Sequence, residues 1–174
     1  MRWVLLFYGA LAAAAVAWRL WVDGVLPWRA SRDAALLPLW LRLGLGVGAG
    51  LALVAASRFA TERTRTGRAL ADELSALIGP LSQRRALGFA LASGLAEEAF
   101  FRGALQPRVG LLAATVLFAA AHYVPRPGLR VWSLFALAAG GLFGALFETT
   151  GDLLAPAVAH AVVNGLNLRW LARR

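Results

Sequence analysis

Residues 86–105 read ALGFALASGLAEEAFFRGAL. A membrane-spanning helix needs about 20 mostly apolar residues, and this segment has that length and character. Even so, Glu97 and Glu98 stand near its middle, and Arg102 follows one turn later. An ionisable group at the centre of a membrane helix costs about 2.5–3.5 kcal/mol on insertion scales, so each of the three requires a structural or functional reason.

The rest of the chain has the composition of a membrane protein. Hydrophobic residues make up 60% of its 174 residues and charged residues 16%, against about 45–50% and 25% in soluble domains. There is no cysteine, which rules out disulfide scaffolds and thiol nucleophiles. We therefore predict an all-α, polytopic transmembrane helical bundle of about six spans, forming one integral membrane domain over 1–174. The five further spans are predicted at about 3–22, 36–56, 109–124, 131–147 and 153–171.

The charge pattern predicts the orientation of the chain. The net charge is +9 and every basic residue is arginine, which in so apolar a chain indicates contact with a lipid bilayer rather than with nucleic acid. Most arginines lie in the loop 58–85 and near the two termini, so we predict all three on the cytoplasmic side of the cell (inner) membrane. The smaller group on the opposite side comprises Arg19, Arg29, Arg32, Arg102 and Arg108.

Two of the predicted spans have further features. The first ends in small residues, Ala15 and Ala17, as a cleavable signal peptide would, but the later spans favour a retained helix. Glycines in the second span have the i,i+4 spacing of close helix packing in lipid and lack the strand–turn–helix context of a phosphate loop. These glycines are Gly44, Gly46, Gly48 and Gly50, and Gly140 and Gly144 repeat the spacing in the fifth span.

The loop between the second and third spans contains an amphipathic pattern. Its apolar residues predict a cytoplasmic helix at about 68–79 that lies on the membrane surface. A solvated connecting helix is the alternative on periodicity alone. The residues that recur at helical spacing are Leu70, Leu74, Leu77 and Ile78.

Polar residues in three spans can meet in one pocket. The only two histidines, His122 and His160, lie in the fourth and sixth spans, and Asn164 follows His160 by four residues on the same helix face. Glu98 shares a face with Arg102, whereas Glu97 points about 100° away from Glu98. One glutamate can therefore be held by Arg102 while the other faces a cavity, and helix geometry leaves open which one does so.

This set of side chains suits hydrolysis. A buried glutamate can take a proton from water, and histidine and asparagine donors can stabilise the oxyanion that forms on a peptide carbonyl. We predict no cofactor, with zinc as the alternative, because one Glu and two His also form a catalytic zinc ligand set. In that case Glu97, His122 and His160 would be the ligands, although the His-Glu-x-x-His spacing is absent.

Three motifs resemble those of a known family. Glu97-Glu98-Ala-Phe-Phe-Arg102, Phe118-Ala-Ala-Ala-His122 and His160-Ala-Val-Val-Asn164 are similar, in order and spacing, to the motifs of the CPBP intramembrane proteases. That family includes the type II CAAX prenyl proteases and bacterial abortive-infection or bacteriocin-processing proteins. The resemblance covers about residues 77–168.

The resemblance implies a glutamate mechanism without metal and a role for each residue. Glu97 would activate water, with Glu98 supporting and Arg102 orienting the glutamates. His122 would position the water or Glu97. The oxyanion site would consist of His160 and Asn164.

Several functions follow from these patterns. We predict an intramembrane endopeptidase that cleaves a membrane-associated protein or peptide. A C-terminal sorting peptidase is a branch of the same family. Because the chain has about six predicted spans, fewer than the larger CAAX enzymes, we expect elements that shape the substrate groove to be missing or to be supplied by a partner. A non-enzymatic immunity or scaffold protein and a proton channel are the alternatives. Asn164 favours the enzyme, since an oxyanion site needs such a donor and a proton relay does not.

Overall fold

A computed structural model describes residues 2–31 and 33–174, so Arg32, assigned above by its charge, lies outside the described residues. Within this part of the chain the regular structure is entirely helical, with one isolated β-bridge and no strand. The predicted all-α class is therefore confirmed. The helices are α1 (Arg2–Asp23), α2 (Leu39–Arg63), α3 (Arg65–Ile78), α4 (Gln83–Glu98), α5 (Gln106–Ala121), α6 (Trp132–Thr150) and α7 (Leu154–Leu171), with a π-helical segment, Ala99–Leu105, between α4 and α5.

The helices have the lengths of a multi-pass membrane protein. Among the described residues, four helical runs are long and apolar enough to cross a membrane, and together they cover most of each of the first five predicted spans. The sixth predicted span is the helix α7, which is not one of the four because polar residues lower its mean hydropathy. The four runs are Arg2–Asp23, Leu39–Arg63, Gln83–Ala121 and Trp132–Thr150.

The third and fourth predicted spans belong to one helical run that reverses at Gly110. This residue has φ 81° and ψ 165°, a backbone conformation that glycine adopts without steric cost. Beyond the reversal, the ring of Phe118 contacts that of Phe101, with centroids 5.1 Å apart, so the two halves pack antiparallel. The reversal brings His122 back to the level of Glu97.

Glycine lets α2 pack directly on α7. A Cβ at Gly46 would lie 2.6 Å from the carbonyl oxygen of Ala155, and one at Gly50 would lie 2.8 Å from another α7 carbonyl. Neither Gly44 nor Gly48 has a described neighbour within 4 Å of such a Cβ. The packing predicted for the whole stripe therefore occurs at only one of its i,i+4 pairs, because the other pair faces away from α7.

An ion pair also joins α2 and α7, at the N-terminal end of both helices. Arg42 of α2 pairs with Asp152, in the short turn before α7. Asp152 also accepts the backbone N–H of Leu154 at 3.1 Å, which satisfies a free donor in the first turn of α7. This ion pair explains an arginine inside an apolar span.

Helix α3 packs beside α7. The side chain of Thr64 accepts the Gly67 N–H at its start, and Ser75 donates to the carbonyl oxygen of Leu171 at 2.8 Å. Because these contacts hold α3 beside α7, its apolar stripe lines a cavity of the bundle. The position of this helix at a membrane surface stays a prediction. The stripe consists of the four predicted residues Leu70, Leu74, Leu77 and Ile78.

Candidate active site

Three ionisable side chains form a buried group that we call the closed cluster: Glu98, Arg102 and His160. The Glu98 carboxylate has Oε1 2.8 Å from His160 Nδ1 and Oε2 3.3 Å from Arg102 Nε. Arg102 also donates from Nη2 to the carbonyl oxygen of Gly140 at 3.2 Å. Glu98 and Arg102 are fully buried. Each charge is thus paired with an opposite charge and has one hydrogen bond, but Glu98 Oε2 and the Nε and Nη1 atoms of Arg102 have no hydrogen-bond partner among the described residues.

The neighbouring glutamate has different surroundings. Glu97 Oε2 lies 3.6 Å from His122 Nε2 and 4.0 Å from His160 Nε2. Both distances exceed a direct hydrogen bond, so the two imidazoles flank this carboxylate without bonding it. His122 Nδ1 is 2.8 Å from the carbonyl oxygen of Phe118. Because a carbonyl only accepts, Nδ1 carries the hydrogen, and this bond orients Nε2 towards Glu97.

A hydrogen-bonded pair lies beside Glu97. Asn164, one turn beyond His160 on α7, donates from Nδ2 to Ser93 Oγ of α4 at 2.8 Å. The side chain of Tyr8, from α1, lines the same cavity as Ser93 and Glu97. Sequence reasoning missed Tyr8 and Ser93, since neither residue belongs to one of the three motifs.

Aromatic rings fix the orientation of the histidines and the arginine. The Arg102 guanidinium lies over the ring of Phe118, 4.5 Å from its centroid. The same ring packs against His122, with centroids 4.4 Å apart. On the other side of the site, Phe143 stacks on His160 at 5.0 Å and an interplanar angle of 21°. Such contacts hold the polar groups in one rotamer within an apolar interior.

The site opens onto a cavity of about 700 Å³. All seven helices contribute side chains to its wall, which is mostly apolar. Of the predicted site residues, Glu97, His122, His160 and Asn164 line this cavity. Glu98 and Arg102 lie behind that wall and are not among the lining residues.

The structure thus answers a question that helix geometry left open. Glu97 faces the cavity, whereas Glu98 is held by Arg102. Within the described residues, no group of three or more His, Asp or Glu side chains is arranged to hold a metal ion. The zinc alternative built on Glu97, His122 and His160 therefore gains no support from the geometry.

The fold and the site define a class of protein: a multi-pass helical membrane protein with a buried Glu–Arg–His cluster behind a cavity-facing glutamate. Comparison with known families gives a more specific result. Residues 84–166 match the sequence model of the type II CAAX prenyl endopeptidase Rce1-like family. The match includes all six predicted site residues, and the resemblance stated from the three motifs is confirmed.

One curated relative has no described function. The chain is 38% identical over 78 residues to the uncharacterized protein YpbD of Bacillus subtilis (strain 168). That match covers 44% of this chain and 40% of the length of the relative. No solved structure matches the chain.

Proposed function

We propose that the chain is an intramembrane endopeptidase that hydrolyses a peptide bond of a membrane-associated protein or peptide. One observation carries the proposal: Glu97 faces the cavity with the Nε2 atoms of His122 and His160 3.6 and 4.0 Å from its carboxylate. The Rce1-like match supports a protease. In the proposed reaction, metal plays no part and glutamate is the base.

The reaction begins at Glu97. Its carboxylate takes one proton from a water molecule, and the resulting hydroxide oxygen bonds to the carbonyl carbon of the substrate. His122 orients that water, because its Nδ1–H is held by the Phe118 carbonyl and its Nε2 points towards Glu97. When the C–N bond of the tetrahedral intermediate breaks, Glu97 returns the proton to the leaving amine. Water and peptide bond are thereby converted into a carboxylic acid and an amine.

The oxyanion of the intermediate needs donors on the opposite side of the carbonyl. We assign this role to His160 Nε2 and to the second Nδ2 hydrogen of Asn164, whose first is donated to Ser93. In this role His160 carries a hydrogen on both ring nitrogens: Nδ1–H donates to the Glu98 carboxylate, and Nε2–H is directed towards the cavity, where it can donate to the oxyanion. Glu98 and Arg102 are positioning residues. Glu98 holds His160, and its ion pair with Arg102 joins the end of α4 to the π-helical segment.

The cavity indicates the kind of substrate. Its wall is mostly apolar and it lies inside the helical bundle, so it suits a hydrophobic or lipid-modified segment better than a free polar peptide. Two substrates have this chemistry: a prenylated segment, as the name of the CAAX prenyl endopeptidase family suggests, and the apolar membrane anchor of an exported protein. We place the chain in the cell membrane with both termini in the cytoplasm, as supported by the arginines of the α2–α4 region.

The test compares protein termini in cells that express wild-type protein or Glu97→Gln at equal levels. We expect specific membrane-protein termini to be present with the wild type and absent with the variant, because the amide cannot accept the proton of water. Glu62→Gln, the same change at an exposed position of α2, is the matched control and should retain every terminus. Termini that persist in Glu97→Gln would overturn the proposal and favour a non-enzymatic scaffold or immunity protein.

A further inference from the structure

An endopeptidase needs a group that holds the substrate peptide beside the reacting bond, and α7 offers one beyond the three motifs. We propose that Asn167 is a substrate-binding residue, whose carboxamide pairs with the main chain of the peptide one to three residues from the scissile bond. The inference rests on the proposed endopeptidase function. It adds to that function a residue just outside the segment 84–166 that matches the family model.

The first argument is the position of Asn167 on α7. His160, Asn164 and Asn167 follow one another by four and three residues, so they share one face of the helix, and all three line the cavity. At a rise of 1.5 Å per residue, Asn167 lies about 4.5 Å beyond Asn164 and about 10.5 Å beyond His160 along the helix. One residue of an extended peptide spans about 3.3 Å. A substrate whose scissile carbonyl is held by His160 and Asn164 therefore places a peptide group beside Asn167 within three residues of that bond.

The second argument is the unused hydrogen-bonding capacity of this carboxamide. Asn167 Oδ1 is 3.4 Å from Ser57 Oγ, but the Ser57 hydroxyl donates to the Val54 carbonyl oxygen at 2.8 Å. Because a hydroxyl has a single hydrogen, the longer contact contributes little. The Asn167 Nδ2 group has no hydrogen-bond partner among residues 2–31 and 33–174. Asn164 differs in this respect, since its Nδ2 donates to Ser93 Oγ at 2.8 Å.

The chemistry of a carboxamide matches that of a peptide group. Asparagine offers two N–H donors and one carbonyl acceptor, and an extended peptide presents one N–H and one C=O per residue. The cavity wall is mostly apolar, so a peptide group that enters it without a partner would lose its hydrogen bonds to water at a cost in free energy. Two α2 hydroxyls in the same wall do not supply that partner, because Thr61 and Thr64 donate to carbonyl oxygens of their own helix.

The experiment uses the protein in lipid nanodiscs and a quenched fluorescent peptide that spans the bond identified from the cellular termini. Asn167→Leu keeps the approximate shape of the side chain and removes its donors and acceptor. We expect KM to rise by about 5- to 50-fold, the range for one or two neutral hydrogen bonds, with kcat within about twofold of the wild type. Gln83→Leu removes a carboxamide at an exposed position of α4 and is the matched control, which should leave both constants unchanged.

A set of modified peptides tests the contact from the side of the substrate. Each of the three peptide N–H groups on either side of the scissile bond, but not the scissile N–H itself, is replaced in turn by N-methyl. At one of these positions we expect the N-methyl group to raise KM by about 2- to 10-fold with the wild type, because Asn167 Oδ1 loses its donor. The same peptide should show no such increase with Asn167→Leu. This cycle separates a direct contact from an indirect effect on the fold.

The outcomes distinguish this inference from the proposed function. Wild-type KM in Asn167→Leu, or N-methyl effects that are equal in the two proteins at every position, would overturn the role of Asn167 while Glu97→Gln stays inactive. Should Asn167→Leu unfold, Asn167→Ala takes its place in the same cycle. Full cleavage by Glu97→Gln would instead overturn the proposed function, and the inference with it.

Discussion

Glu97 and Glu98 are adjacent in the chain, but they occupy two regions with opposite properties. Glu98 belongs to the closed cluster, where it is fully buried and contacts Arg102 and His160. Glu97 stands on the cavity wall, where two imidazoles flank its carboxylate without bonding it. The difference follows from helix geometry, since consecutive residues point about 100° apart. One carboxylate gains fixed partners and the other keeps an oxygen free to react.

The largest expected effect comes from making the same change in both regions. Glu98→Gln should lower the free energy of unfolding by about 3–5 kcal/mol, because it leaves Arg102 as an uncompensated buried charge. Glu97→Gln should leave stability nearly unchanged and reduce peptide cleavage by about 10²–10⁴-fold, the usual contribution of a general base. Thermal unfolding in detergent and cleavage of the identified peptide measure the two quantities.

The contrast between the two variants is more informative than either alone. If Glu98→Gln were as stable as the wild type, the closed cluster would not hold the fold together, and the assignment of Glu98 as a positioning residue would be wrong. If Glu97→Gln unfolded readily, its carboxylate would be a structural group instead of a free one.

A smaller effect is expected from changing the cation of the closed cluster while keeping its charge. Arg102→Lys retains a positive charge but loses the planar group that reaches both Glu98 and the Gly140 carbonyl and lies over Phe118. We expect a loss of about 1–3 kcal/mol in unfolding free energy, the cost of leaving a buried acceptor unsatisfied. Arg126→Lys, at an exposed loop position, is the matched control. Equal unfolding midpoints for the two variants would mean that charge alone matters at Arg102.

Much of the helical fold could be predicted from sequence because it depends on local apolar composition. Every predicted span contains a helix, and the i,i+4 relation of Glu98 and Arg102 holds in the structure. Among the described residues, four helical runs meet the hydropathy criterion for spanning, against six predicted spans. The third and fourth predicted spans form one run, and α7 fails the criterion because it carries polar residues of the site. The same residues that indicate function thus make the last span hard to recognise.

The parts that sequence could not supply depend on tertiary packing. Tyr8 and Ser93 line the same cavity as Glu97 only because α1 packs against α4, and a single sequence carries no signal for which face does so. The packing of α3 beside α7 could not be predicted, for a related reason. Its apolar stripe fits a membrane surface and an internal cavity equally well, so periodicity cannot choose between them. The π-helical segment after Glu98 has no pattern that a helical period would detect.

The smallest expected effect tests how tightly the closed cluster is packed. Gly140 and Gly141 are neighbours on α6, but a Cβ at Gly140 would lie 3.0 Å from the Phe118 ring and 3.3 Å from Arg102, whereas one at Gly141 would meet only Thr115, at 3.8 Å. Alanine raises helix propensity by about 1 kcal/mol over glycine, so Gly141→Ala should stabilise the protein slightly. At Gly140 that gain is opposed by overpacking, which costs about 1–3 kcal/mol in a well-packed core.

We therefore expect Gly140→Ala to be less stable than Gly141→Ala by about 1–3 kcal/mol, a separation of roughly 2–4 °C in unfolding temperature for each kcal/mol. Gly140→Ala should also reduce cleavage, because Phe118 cannot yield without moving His122 on the cavity wall. Two variants of equal stability and activity would show that Phe118 has room to move. In that case a change of packing at the closed cluster would not move the cavity wall. The orientation of His122 would then depend only on its bond to the Phe118 carbonyl.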